Sequence, residues 1–277
     1  MSAAALQRVV VRMLHDPALV AAVYADAEGA LASDDVSPTE RAWLVAPDRR
    51  RWAADPMRRY RGLQALLEEL LVAGACAIRQ GGVAAVDAFF SAPAFHRAIQ
   101  DRQALAPAFA RWLAASFAPP VPAFAALEAA IARSRRAPLP SSSAGSLIAT
   151  APWIEAEQVP EGTLAAWQHI RAALTMHPAG PLAAAADAAH PLPAVRASAA
   201  LEGLLIEPGP AIGTCGAELV ALLHRLRAPR AADALGDLAD LGLDADEAAE
   251  LVAELLMDGL LWHPPADSGS QILDLPA

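Results

Sequence analysis

The chain has 277 residues, enough for one large domain or two to three small ones. Its formal net charge is −10, and all 21 basic residues are Arg, a balance that argues against nucleic acid as the main ligand. No membrane span is expected, because the longest uncharged runs, such as Trp112–Leu127, are broken by Pro119, Pro120 and Pro122.

Arg8, Arg12 and Asp16 interrupt the apolar pattern of the N-terminus, so it does not read as a signal peptide. Residues 1–135 then read as a string of helices. Asp16-Pro17 and Asp55-Pro56 each place a capping acid before a proline at the first helical position. Ser37-Pro38-Thr39-Glu40 is a full capping box. After Pro56, Tyr60, Leu63, Leu67, Leu70 and Leu71 share one helical face, with Leu66 beside them. Later helices are predicted over Val83–Phe90, Pro93–Gln100, Leu105–Phe117 and Phe124–Ser134. Cys76 and Cys215 lie far apart in sequence and give neither a framework of disulfides nor metal-ligand spacing. They read as small apolar side chains in a reduced, cytoplasmic setting.

Arg135–Gly145 is rich in Pro, Ser and Gly and reads as a linker. Beyond it, Leu147–Thr150 and Trp153–Gln158 read as strands and Thr163–Leu174 as a helix. Then a repeat appears: Glu202-Gly203-Leu204-Leu205-Ile206-Glu207-Pro208 matches Asp258-Gly259-Leu260-Leu261-Trp262-His263-Pro264. Helices at Thr163–Leu174, Leu182–Ala189 and Ala194–Leu201 precede the first copy. Helices at Ala217–Leu226, Ala231–Leu241 and from Asp244 onward precede the second. The fold class is therefore mostly α with small β. A helical domain (1–135) and a linker (136–146) lead into tandem winged-helix units (147–208 and 202–264) and a tail (265–277).

The last 47 residues carry eleven acids and no Arg. A DNA-reading third helix needs Arg or Lys. This one presents Asp244, Asp246, Glu247, Glu250 and Glu254, so its groove is expected to take protein or peptide. Asp244 and Glu247 form a capping box, and Asp244–Glu247 lacks the Gly and the alternating donors of a calcium loop.

The run from Gly203-Leu204-Leu205-Ile206-Glu207-Pro208-Gly209 through Ala211–Leu219 to Asp258-Gly259-Leu260-Leu261 resembles PqqD and the related precursor-recognition elements of ribosomally made, modified peptides. The resemblance implies that the leader of a precursor peptide adds as a strand to the sheet edge, beside the third helix. Asp55–Glu69 and Asp87–Gln100 are similar to the partner proteins of methanobactin-type and thiaglutamate-type biosynthesis. That likeness implies pairing with a multinuclear non-heme iron oxidase. The iron belongs to the enzyme and this chain holds no cofactor.

On this reading Leu204, Leu205, Ile206, Glu207, Leu251, Val252 and Leu255 hold the peptide. Phe89, Phe90, Phe95 and His96 either build a core or meet the oxidase, and Arg58, Arg59 and Arg61 either form a solvated face or dock an acidic partner. The resemblance implies a partner-facing role for all seven. No His-Glu-x-x-His, paired-Cys, phosphate-loop or Gly-x-Ser-x-Gly motif occurs, so no catalytic or metal residues are expected. The expected protein is a non-catalytic subunit of a hetero-oligomer, binding neither nucleic acid nor membrane. Its rivals are a tandem winged-helix transcriptional regulator and a helical accessory subunit of an oxygenase, the latter on a short match at Val36–Leu44.

Overall fold

The computed structural model describes residues 3–137, 147–177, 180–187, 192, 198–209, 211–231 and 244–264. The chain is mostly helical, with two small antiparallel sheets of three strands. It forms two compact units, residues 1–129 with 163–197, and 130–162 with 198–277. Residues 163–197 thus group with the N-terminal helices rather than with the strands that flank them in sequence. No helix among the described residues is long and apolar enough to cross a membrane.

The first unit opens with α1 (Ala3–His15), α2 (Pro17–Ala25), α3 (Ala27–Ala30) and α4 (Pro38–Val45). Asp16 caps α2, accepting from the Ala18 amide at 2.9 Å, and the Ser37–Glu40 box caps α4. Val9, Met13, Val20, Val23, Leu31 and Leu44 close a core between these helices. Asp55 does not cap a helix directly. Its carboxylate accepts from the Met57 amide in a turn, and α5 starts at Arg58 and runs to Glu69. Leu63, Leu66 and Leu67 form its buried face, whereas Tyr60 is 44% exposed and lies outside the stripe. Leu70 leaves helical geometry and α6 (Leu71–Asp87) begins. The helix expected from Val83 is the second half of α6, set off by Gly82 at φ 78° and followed by a 3₁₀ turn, Ala88–Ser91. Next come α7 (Pro93–Gln100), α8 (Leu105–Ser116) and α9 (Val121–Arg136), whose residues up to Ala129 belong to this unit. The unit is completed by α10 (Thr163–Thr175) and α11 (Pro181–Ala186).

The N-terminus of α6 is buried and Leu70 offers it no side-chain cap. Glu128 of α9 supplies one from a distance. Its two oxygens accept from the amides of Val72 (2.9 Å) and Ala73 (3.0 Å), and Trp167 of α10 donates to it at 3.0 Å. A carboxylate there also meets the positive end of the helix dipole. Burial pushes the Glu128 carboxyl up to about 7, against the pull of its three donors. The same burial, with Glu128 near by, pushes the Cys76 thiol up to about 12.

The second unit holds β1 (Leu147–Thr150), β2 (Glu155–Pro160), β3 (Leu201–Ile206), β4 (Ile212–Cys215), α12 (Ala217–Arg225), β5 (Arg230–Ala231), α13 (Ala245–Met257) and β6 (Leu261–Trp262). The sheets run β5-β1-β6 and β2-β3-β4. Ile148, Ile154, Val220, Leu223, Val252, Leu255 and Leu261 lie in one core. Thr150 Oγ1 donates to the Leu223 carbonyl at 2.6 Å, tying β1 to α12. Asp244 and Glu247 form the expected capping box on α13, and Gly259 at φ 74° turns the chain into β6.

The two copies of the repeat do different things. Asp258-Gly259 ends a helix, whereas Glu202-Gly203 lies inside β3. Of the helix expected at Ala194–Leu201, Ser198–Ala200 are not helical and Leu201 opens β3; residues 193–197 lie outside the described residues. The helix expected at Ala231–Leu241 falls there too, except that Ala231 is in β5.

Replacing Glu128 with Ala leaves three buried donors without an acceptor and is expected to lower stability by about 3 kcal/mol. The folded carboxyl keeps its proton to a higher pH than the unfolded one. Its stabilisation is therefore complete below the ordinary value of 4.5 and is lost as pH rises through about 7. That loss is about 3 kcal/mol at most. In Glu128→Gln, urea midpoints measured from acid to neutral pH should lack this fall.

Candidate functional site

The β2-β3-β4 sheet has two edges, and its hydrogen-bond parity identifies what each presents. The Glu207 amide donates to the Ala211 carbonyl at 2.9 Å, in line with the register Leu205↔Gly213 and Gly203↔Cys215. Those pairs are therefore the bonded ones, and Ile212 and Thr214 turn their N–H and C=O groups away from β3. On the other side, Glu161 donates to the Ala200 carbonyl at 2.9 Å. By the same parity Glu155, Glu157 and Val159 face β3, while Ala156 and Gln158 turn outward.

The β2 edge is partly blocked. His224 of α12 places Nε2 at 2.7 Å from the Ala156 carbonyl, and Pro160 has no N–H to offer. Among the described residues the β4 edge is open. No described strand lies beyond it, and Ile212-Gly213-Thr214-Cys215 contains no charge or proline to guard it. The edge strands of the other sheet, β5 and β6, have two residues each, too short to template a partner.

This changes the expected peptide site. Leu204–Ile206 lie in β3, the central strand, whose two rows of backbone groups are already used. The Glu207 amide is used as well. Leu204 and Ile206 are fully buried, and half-buried Leu205 packs on the core of the unit. On α13, Val252 and Leu255 are core residues and Leu251 packs against them, so neither apolar row lines an open groove. The outward face of α13 carries Asp246, Glu247, Glu250 and Glu254, all exposed.

Charge is divided unevenly. The second unit contains six of the Arg residues and 17 of the acids, a net of −11, so the first unit stands at +1. Three of the six Arg follow α12 or end it, and Arg227 donates to Glu155 at 2.5 Å. Arg133 donates to Glu155 at 2.9 Å and to Glu157 at 2.7 Å. Glu155 is 3% exposed, and its charge is matched by two guanidinium groups.

The seven residues expected at a partner surface separate. Phe89, Phe90 and Phe95 are 0–1% exposed. They form one aromatic core with His15 and Phe109, ring centroids 4.9–5.7 Å apart. The core alternative holds for them. Arg58 donates to the carbonyls of Leu14 and Trp52, and Arg59 pairs with Asp87 at 2.7 Å while lying over the Phe90 ring. Both are internal staples. His96 Nε2 sits 3.0 Å from Asp16 Oδ2, and burial lowers its pKa while Asp16 opposes the shift. Only Arg61 of the seven is exposed, ion-paired with Asp55. Met57, at the N-cap of α5, and Tyr60 and Arg61 in its first turn stand at i, i+3 and i+4 and are all exposed. Arg49, Arg50 and Arg51 are exposed just before them.

Ser91, Asp16 and His96 lie together, but Ser91 Oγ donates to Asp16 at 3.1 Å rather than to the imidazole. A nucleophile–base pair needs the hydroxyl on the imidazole nitrogen. The same Asp16 caps α2, so the cluster joins α1, α2 and α7. Among the described residues no group of three His, Cys, Asp or Glu is placed to hold a metal ion. Comparison with protein-family models, curated proteins and solved structures found no match.

Proline tests the edge assignment. Thr214→Pro removes an outward N–H only and should shift the urea midpoint little. Leu205→Pro removes a ladder bond inside the sheet and should lower stability by about 2 kcal/mol or more. Equal losses in the two variants would reverse the parity given above.

Proposed function

We propose that this chain is a non-catalytic partner subunit that captures a ribosomally made precursor peptide and presents it to an iron-dependent, peptide-modifying oxidase. The observation that carries the reading is the unguarded β4 edge, set against a β2 edge that His224 and Pro160 partly block. An extended leader adds to β4 through the outward groups of Ile212 and Thr214, and main-chain hydrogen bonds supply affinity. Among the described residues the second unit alternates helices with short strands in the order α12, β5, α13, β6, which supports the likeness to precursor-recognition elements. The acidity of the second unit favours a basic leader and repels phosphate.

Docking on the oxidase falls to the outward turn of α5, where Met57 and Tyr60 add apolar area to Arg61. The benefit of the complex is effective concentration, since a tethered core segment reaches the active site intramolecularly. Iron resides in the oxidase, and the complex is a hetero-oligomer.

Leader binding in the micromolar range, about −8 kcal/mol, is expected by calorimetry. Ile212→Pro and Thr214→Pro should each weaken it at least tenfold with an unchanged circular dichroism spectrum. Unaltered binding in both variants would remove β4 from the mechanism. Tight, sequence-selective DNA binding at physiological salt would favour a regulator instead. Separately, Tyr60→Ala with Arg61→Glu should reduce co-purification with the oxidase while leaving leader affinity intact. Undiminished co-purification would move the docking surface off α5.

A further inference from the structure

The cross-strand row through the middle of the second sheet reads Ala156↔Leu205↔Gly213. All three lie on one face, since directly paired residues share a face. Ala156 is buried, Leu205 is half-buried and Gly213 is exposed. A Cβ placed on Gly213 would meet nothing within 4 Å. Gly203, two residues along β3 on the same face, behaves differently. A Cβ there would meet the Cys215 carbonyl at 2.7 Å and the Val220 side chain at 2.9 Å. The first turn of α12 therefore covers the face at Gly203 and leaves it bare at Gly213.

From this gap we infer that the strand which adds to β4 carries one bulky apolar residue, aromatic or Leu, directly opposite Gly213, within an otherwise basic segment. The inference rests on the peptide-capturing role of β4. Gly213 directs its own N–H and C=O toward β3, so across the outer edge it makes a non-bonded antiparallel pair. In such pairs the α-carbons approach to about 4.5 Å and the side chains are closest. A large side chain opposite a glycine lies across it. Here it would extend the row onto Leu205 and cover apolar surface that β4 leaves bare. Aromatic residues opposite edge glycines are a known device for this. The basic context follows from charge: Glu207 and Glu218 are exposed on either side of β4, and the unit is strongly acidic.

The full chain can be titrated with two synthetic probes, acetyl-Lys-Thr-Lys-Phe-Lys-Thr-Lys-amide and its Phe→Ala counterpart, by calorimetry. The wild-type chain should bind the Phe peptide at least tenfold more tightly. Gly213→Val fills the gap with a strand-forming side chain at a position with room for it, so the fold should persist. It should retain binding but bring the two peptides within about twofold of each other. Discrimination unchanged in Gly213→Val, with binding lost in Thr214→Pro, would overturn the Gly213 anchor and leave the β4 edge standing. Binding of neither peptide by the wild-type chain would overturn the edge reading itself, and with it the anchor. A dimer abolished by Thr214→Pro, with no peptide bound, would do the same by assigning the edge to a second copy.

Discussion

Every strand carries two rows of backbone donors and acceptors, and a three-stranded sheet leaves two of the six rows without a strand. How those two rows are treated decides what the second unit can do. His224 and Pro160 block part of one. The other is left as four uncharged residues with an unfilled glycine at their centre. On one face of β3 Leu204 and Ile206 are buried, and on the other Gly203 takes the α12 turn against its α-carbon. The acids of β2 are neutralised where they stand by Arg133 and Arg227.

Much of this was legible in the chain, for local reasons. Capping boxes at Ser37 and Asp244, the proline starts at Pro17 and Pro93, and the Gly259 turn act within a few residues, so the string specifies them. The overall class, mostly α with small β, follows from helical spacing broken by short β-branched runs. The acidic outward face of α13 is likewise a matter of spacing.

What was not legible depends on partners far away in sequence. Asp-Gly-Leu-Leu and Glu-Gly-Leu-Leu look alike, but one is flanked by a helix end and the other by two strands. Only pairing with Glu155–Pro160 and Ile212–Cys215 makes the latter a central strand. The Phe89–Phe95 segment has the composition of an interface core because interface cores and protein interiors select the same side chains. His15 and Phe109, which enclose it, lie on other helices. Glu128 reads as an ordinary helix-surface acid until α6 and α10 place three N–H groups around it. His224, the guard of β2, gives no sequence signal of its role, since its acceptor is a backbone carbonyl 68 residues earlier.

The strand β1 has a consequence for how the molecule is made. It lies between β5 and β6, and His263 places its Nδ1 2.9 Å from the Leu147 carbonyl, 116 residues away. During synthesis Leu147–Thr150 leaves the ribosome long before either neighbour exists. At about 5–20 residues per second it waits several seconds with both of its edges bare. The first unit is complete in sequence once α11 has emerged and is free to condense in that interval, whereas the β5-β1-β6 sheet is completed only when Leu261 and Trp262 arrive. Truncations short of β6 should therefore be recognised by chaperones and proteases as unfinished chains, and the second unit is where nascent-chain quality control would first act.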